Sequence, residues 1–118
     1  MAAADQTNAL EVDPARLAGW LSDKSVPQVI DVRERYERDA GHIAETAHIE
    51  LTELSGQAAS LLREQPIVFY CRTGSRSLMA AQAFRASGYE AYTLDGGVVR
   101  WVAEGRPLSP PDGYVADH

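Results

Sequence analysis

Four β-forming residues in a row, Ile67-Val68-Phe69-Tyr70, run straight into a cysteine and then into a helix-forming stretch. That stretch, residues 75–87, is largely apolar through Leu78, Met79, Ala80, Ala81, Ala83 and Phe84, with Gly88 at its C′ position. An all-apolar strand followed by an apolar helix belongs inside a sheet that is covered on both faces. The pattern recurs along the chain. Residues 10–12 read as a short strand, Asp13-Pro14 as a helix start, and Leu17, Trp20 and Leu21 as one face of a helix over 14–22. Val29-Ile30-Asp31-Val32 is a further short strand, residues 34–39 form one or two helical turns, and Ala47-His48-Ile49 is another strand. Leu51, Leu54, Ala58, Leu61 and Leu62 fit one helical face, weakened at its start by Ser55 and Gly56 and ended by Pro66. Tyr92-Thr93-Leu94 reads as a strand, Gly96-Gly97 as a turn, and Val98 to Glu104 as a helix with Trp101 facing inward, stopped by Gly105 and Pro107. The expectation is a three-layer α/β domain: a mostly parallel sheet of about five short strands with helices on both faces. In such sheets the ligand sits at the carboxyl ends of the strands, where Cys71 lies.

With 118 residues the chain is one domain of ordinary size, large enough to fold without disulfides or metal. We divide it into an extension over 1–9, a domain over 10–108 and a tail over 109–118, the tail reading as an extended arm or a frayed end. Cys71 is the only cysteine, which excludes an internal disulfide and a zinc site built from several thiolates. Seventeen acidic against eleven basic residues give a net charge of −6, which argues against nucleic acid or an anionic membrane as partner. There is no apolar run of membrane-spanning length and no secretory signal pattern at the start, so the cytoplasm, where a lone thiol stays reduced, is the expected location.

The charge is unevenly spread. Residues 1–64 hold 12 acids and 6 bases and residues 90–118 hold 5 acids and 2 bases, whereas residues 65–89 hold no acid and three arginines, Arg72, Arg76 and Arg85. The cysteine lies in that acid-free window, in the loop Cys71-Arg72-Thr73-Gly74-Ser75-Arg76-Ser77. A short loop between a strand and a helix can aim its backbone N–H groups at one point, and the helix dipole adds positive potential there. Arg72 and Arg76 add two full charges. All three effects favour a thiolate over a thiol. Gly74 supplies the backbone freedom of a tight turn, and Ser75 and Ser77 can cap the helix or donate to a bound anion. A buried structural cysteine is the commoner fate of a lone Cys, but it does not account for the arginines around it.

Two chemistries use such a loop: attack of the thiolate on phosphorus and attack on a sulfane sulfur. Cysteine phosphatases place five residues between cysteine and arginine, whereas here four separate Cys71 from Arg76. The smaller loop suits a sulfur atom better than a tetrahedral phosphate. No second cysteine is available to resolve a disulfide, which counts against a self-contained thiol redox cycle.

From about residue 10 to residue 108 the chain resembles a single-domain rhodanese, a module of the thiosulfate sulfurtransferase type. Three motifs carry the resemblance: Asp31-Val32-Arg33-Glu34 with Tyr36-Glu37 and Gly41-His42-Ile43; the Cys71 loop; and Leu94-Asp95-Gly96-Gly97 with Trp101 and Gly105-Arg106-Pro107. The resemblance implies that Cys71 attacks the outer sulfur of thiosulfate or a similar donor, releases sulfite and carries a persulfide, which cyanide, a small thiol or a protein acceptor then discharges. It implies that backbone N–H groups from Arg72 to Ser77 cradle the persulfide, that Arg72 and Arg76 bind the anionic donor, and that neither metal nor organic cofactor is needed. The substrate-binding candidates are therefore Arg72, Thr73, Gly74, Ser75, Arg76 and Ser77. Asp31 and Arg33 are candidates for shaping the pocket, with a purely structural turn as the competing role. His42 is given no catalytic role, since the Gly-His-Ile element is mainly structural in the family. His48 and His118 have no supporting context, and Trp101 is a core anchor. The chain departs from the family pattern Gly-His-Ile-Pro-Gly-Ala followed by Asn-Ile-Pro: at Ala44, Glu45, Thr46, His48 and Glu50 the prolines and the glycine are missing. That loop is expected to be more flexible or shaped for a different partner. The alternatives are a non-catalytic rhodanese-like relay or binding module and a cysteine phosphatase or arsenate reductase of related fold.

Overall fold

The computed structural model describes residues 10–23 and 28–118, so the extension over 1–9 lies outside it. Elements follow in the order β1 (Glu11–Val12), α1 (Pro14–Asp23), β2 (Gln28–Asp31), α2 (Arg35–Ala40), β3 (Ala47–His48), α3 (Leu54–Gln57), β4 (Ile67–Tyr70), α4 (Ser75–Ala86), β5 (Ala91–Leu94) and α5 (Gly97–Ala103). The five strands form one sheet in the order β1-β5-β4-β2-β3, and every pairing is parallel. This is the expected α/β layering, with β4 at the centre. No helix among the described residues is long and apolar enough to cross a membrane.

All four residues of β4 are buried, and side-chain alternation sends them to opposite faces. Ile67 and Phe69 join Ile30, Val32, Ala80, Ala81 and Phe84 on the α4 side, while Val68 and Tyr70 join Val12, Leu17, Leu94, Val98 and Trp101 on the side of α1 and α5. Cys71 continues the period of two and belongs to the α4-side cluster. Trp101 is buried in the opposite core and donates its indole N–H to the Pro107 carbonyl at 2.8 Å, a core anchor as expected.

Two parts differ from expectation. The single helix expected over 51–62 is a broken run: a 3₁₀ turn (Leu51–Glu53), α3 of four residues, and a second 3₁₀ turn (Ala58–Ser60). The low helix propensity of Ser55 and Gly56 and the distributed burial of Leu54, Ala58 and Leu61 favour short turns that follow the sheet surface over one straight rod. The tail is neither an arm nor frayed. His42 and Ser109 exchange backbone hydrogen bonds at 3.0 and 2.7 Å, Tyr114 N–H donates to the Ala40 carbonyl at 3.0 Å, and Leu108 and Val115 pack on the α1/α5-side core. The tail thereby runs along α2 toward the carboxyl end of the sheet.

The atypical 44–50 loop is tied down. Glu45 takes a left-handed conformation, φ 65°, where the resembled motif has glycine. Thr46 Oγ1 donates to the Ile43 carbonyl at 2.7 Å and lies 2.9 Å from the Tyr70 hydroxyl, and Arg38 donates to the Thr46 and Ala47 carbonyls.

Candidate functional site

The register sets Asp31 opposite Tyr70 and Phe69 opposite Thr93, so β2, β4 and β5 end at one level and their following loops converge. Tyr70 feeds the loop through 71–74, and Gly74, at φ 113°, turns the chain into α4. The first backbone bond of α4 runs from Leu78 N–H to the Gly74 carbonyl. The N–H groups from Gly74 to Ser77 therefore precede the helical ladder, the donor set that favours an anion.

Cys71 is fully buried, as a structural cysteine would be. Its surroundings distinguish it. Gly74 N–H donates to Sγ at 3.1 Å, and Ser77 Oγ–H points to Sγ at 3.5 Å and to the Gly74 carbonyl at 3.2 Å. Ser77 Oγ also lies 2.7 Å from Thr93 Oγ1 on β5. The loop is backed by α5: Val98 N–H donates to the Cys71 carbonyl and Val99 N–H to the Arg72 carbonyl, both at 3.0 Å. Thr73 and Ser75 are exposed and, with Gly74, line a surface hollow that also includes Leu78, Thr93 and Asp95.

The two loop arginines are not equivalent. Arg76 grips Glu37 of α2 with both arms of its fork, at 2.8 and 2.9 Å. Glu37 is fully buried and also accepts the Glu34 N–H at 3.0 Å, completing a capping box for α2. Burial pushes the Glu37 carboxyl up, but the Arg76 fork and the Glu34 N–H outweigh it and hold it below the ordinary glutamate value. The Glu37 hydrogen bond raises Arg76 in turn. Arg72 is looser: its Nη2 lies 3.5 Å from the exposed Asp117 carboxylate, and its Nε is buried with no partner among the described residues. The window of three arginines is thus less positive locally than its sequence suggests.

A carboxyl depressed in the folded state contributes stability in full above its unfolded value. That contribution is lost as the pH falls through the lower folded value. Glu37→Gln should therefore cost about 2 kcal/mol at neutral pH, less than the ~3–5 kcal/mol for a fully buried pair because Arg76 is partly exposed. The gap from the wild type should close on acidification below pH 4.5, the ordinary glutamate value. Urea unfolding at a series of pH values checks both the cost and its disappearance.

Asp31 and Arg33 form a fully buried pair of two parallel hydrogen bonds at 2.8 and 2.9 Å, and Arg33 also donates to the Gly41 carbonyl at 2.8 Å. Arg33 lies over the Tyr70 ring, on the α1/α5 side of the sheet, whereas Cys71 faces α4. The pair secures the turn around α2 and meets none of residues 71–77 through the hydrogen bonds described. His42 contacts the Arg38 carbonyl and His48 the Arg33 carbonyl, both away from the cysteine.

Sequence reasoning missed Glu37 as the partner of Arg76, Thr93 behind Ser77, and the tail. Tyr36 O–H donates to the Asp117 carbonyl at 3.1 Å, and His118 lies 3.4 Å from Glu34, so the tail's end sits beside both loop arginines. Among the described residues Glu34, Glu37 and His118 bring ligand atoms within 4.8 Å of one another. A cation does not fit there, because Glu37 is already neutralised by the Arg76 guanidinium in the same place.

The fold and the site define a parallel α/β domain that holds one cysteine beneath a short loop at the head of a helix. The family model described as Rhodanese-like domain matches residues 13–104, and the chain belongs to that family. A sulfurtransferase of Allochromatium vinosum is 27% identical over 104 residues, covering 87% of this chain and 97% of that protein. The thiosulfate sulfurtransferase GlpE of Coxiella burnetii is 32% identical over 91 residues, covering 75% and 85%. The structure of the human single-domain sulfurtransferase TSTD1 superposes with a TM-score of 0.72 at 30% identity, covering 81% of this chain and 96% of that one. In other relatives the matching stretch is part of a longer chain, 15% of the length in one and 60% in another.

Proposed function

We propose that the protein is a sulfurtransferase that moves a sulfane sulfur from thiosulfate or a similar anionic donor to a thiophilic acceptor through a persulfide on Cys71. The observation that carries this reading is the Cys71 sulfur held by the Gly74 N–H at the head of α4, a donor arrangement that stabilises charge on sulfur. The sulfurtransferase names of its relatives support it.

The cycle balances without a cofactor. The Cys71 thiolate attacks the outer sulfur of the donor, an S–S bond forms, and the donor's own S–S bond breaks, so that sulfite leaves with the electron pair. An acceptor (cyanide, a small thiol or a protein thiol) attacks the terminal sulfur of the persulfide, and the electrons of that S–S bond return to Cys71. Backbone N–H groups of residues 72–77 cradle the persulfide, with Thr73, Gly74, Ser75 and Ser77 shaping the cradle. Arg72 meets the anionic end of the donor; its Nη2 makes a long 3.5 Å contact with the exposed Asp117 carboxylate, which a donor anion can replace. Arg76 contributes charge while its fork secures the loop to Glu37. That commitment also disfavours the phosphatase reading, which needs a free bidentate guanidinium for the phosphate. A reactive lone thiol suits a reducing compartment, and we assign the protein to the cytoplasm.

Intact-mass spectrometry after incubation with thiosulfate tests the reading. A gain of one sulfur atom located on Cys71 and removed by cyanide is expected. A cysteine that stays unmodified at saturating thiosulfate would overturn the persulfide cycle.

A further inference from the structure

Thr93 lies on β5, outside the loop, and is almost fully buried, at 2% exposure. Its side chain takes the α4-facing position, and its hydroxyl meets one group among the described residues, Ser77 Oγ at 2.7 Å. Ser77 is fully buried too. A buried hydroxyl proton needs an acceptor, and an isolated one costs the desolvation of the group. The Thr93 proton has the Ser77 oxygen within reach, so Thr93 donates to Ser77. Ser77 must then direct its own proton elsewhere. Its two acceptors are Cys71 Sγ at 3.5 Å and the Gly74 carbonyl at 3.2 Å. The distance to the carbonyl is long for an O–H···O bond and that to sulfur is within the ordinary reach of its larger radius, as for a proton shared between two acceptors, and a charge arriving on sulfur draws that proton toward it.

We propose that Thr93 is a positioning residue for the Cys71 reaction, acting through Ser77: its hydroxyl fixes Ser77 as a donor that turns to the sulfur when the sulfur carries charge. The relay Thr93–Ser77–Cys71 joins β5 to the nucleophile from beneath the loop, while the Gly74 N–H holds the sulfur from the loop itself. Hydrogen-bonded chains of this kind polarise one another in a dry interior. This role rests on the reading of Cys71 as the nucleophile. The charged groups around the site are Arg76 on α4, with Glu37 of α2 on its fork, Arg72 of the loop, faced by Asp117, and Glu11 of β1 and Asp95 after β5, which line the same hollow as Thr93. None of these six side chains meets the Thr93 or Ser77 hydroxyl through the hydrogen bonds described, so the relay is separable from them.

The test follows the thiolate directly. With a single cysteine in the chain, the ultraviolet absorbance of the thiolate against pH, read against Cys71→Ser, reports Cys71 whether or not sulfur is transferred. Thr93→Val keeps the shape and removes the hydroxyl. It is expected to move the thiolate titration to higher pH, lowering the thiolate fraction on the rising limb about threefold to tenfold. The acid limb of kcat/KM should move with it. Thr93→Ser should restore the wild-type profile, and in a Ser77→Ala background Thr93→Val should add nothing further. Thr93→Ala gives the same reading if the valine variant does not fold. An unmoved titration in Thr93→Val, or a shift that persists in the Ser77→Ala background, would overturn the relay. Failure of the persulfide adduct in the wild type would instead overturn the nucleophile reading, so the two results are told apart.

Discussion

Cys71→Ser is expected to abolish thiocyanate formation from thiosulfate and cyanide, with a loss of at least ~10³-fold, while leaving a folded protein. Serine is close in size and its oxygen can take the Gly74 N–H and Ser77 O–H that now face the sulfur. The buried polar group therefore keeps its partners, and the thermal midpoint should move by only a few degrees. What disappears is the chemistry. An alkoxide is not formed near neutral pH by these donors, and an oxygen cannot carry the transferable sulfane sulfur that a thiolate accepts. A variant that folds and retains more than background turnover would exclude Cys71 as the sulfur carrier. The same variant loads no sulfur from thiosulfate if the mechanism holds, so kinetics and mass spectrometry must agree.

The layers of the fold were readable because the strongest sequence signals are the ones packing obeys. Ile67-Val68-Phe69-Tyr70 has no polar alternation, and it occupies the centre of the sheet with both faces covered. Asp13-Pro14 opens α1 as a cap and first-turn proline should, with Arg16 N–H on Asp13 Oδ1 at 2.8 Å. The misjudged segments are those where tertiary contacts override local preference. Leu51 to Leu62 has a helical period, but its apolar residues pack on the α4-side core and are reached by short turns. The tail has no period at all. It is ordered by backbone bonds to Ala40 and His42, which a sequence pattern does not encode.

The site was legible as a loop and illegible as a network. Cysteine, glycine and arginine within a few residues of one another declare a local anion-binding turn, and its neighbours in sequence are its neighbours in space. Partners that come from other strands leave no such mark. Glu37 lies 39 residues from Arg76 and reads as one more charge on a polar helix, yet it is buried against that arginine. The signal that could have exposed it is the capping-box position three residues after Glu34, which fixes where its side chain points. Thr93 reads as an ordinary strand residue, and only the parallel register beside β4 carries it to Ser77.

Gly97→Ala is expected to be the most destructive single-methyl change in the protein, because Gly97 is where α5 presses on the Cys71 loop. Its φ is +62°, and an added Cβ would lie 2.4 Å from the Arg72 carbonyl oxygen, 2.6 Å from its carbon and 2.7 Å from the Cys71 carbonyl oxygen. All three atoms are backbone, so no side chain can swing away. Relief requires α5 and the loop to separate, which stretches the hydrogen bonds from Val98 and Val99 to those same two carbonyls. Conformational strain of about 1–2 kcal/mol for a left-handed alanine adds to about 1–3 kcal/mol for forced overpacking. The sum, about 2–5 kcal/mol, is a large share of the ~5–15 kcal/mol that holds a domain of this kind together. Gly105 provides the control. It also has a positive φ, 81°, but an added Cβ there would meet nothing within 4 Å. Gly105→Ala should therefore cost about 1–2 kcal/mol, chiefly strain. Urea unfolding of the two variants should rank them in that order. The Gly97 variant, even where folded, should load sulfur on Cys71 poorly, since α5 holds the backbone of Cys71 and Arg72 in place through those two carbonyls. Equal costs at the two positions would show that the loop and α5 yield freely, and that the close contact does not hold the cysteine in place.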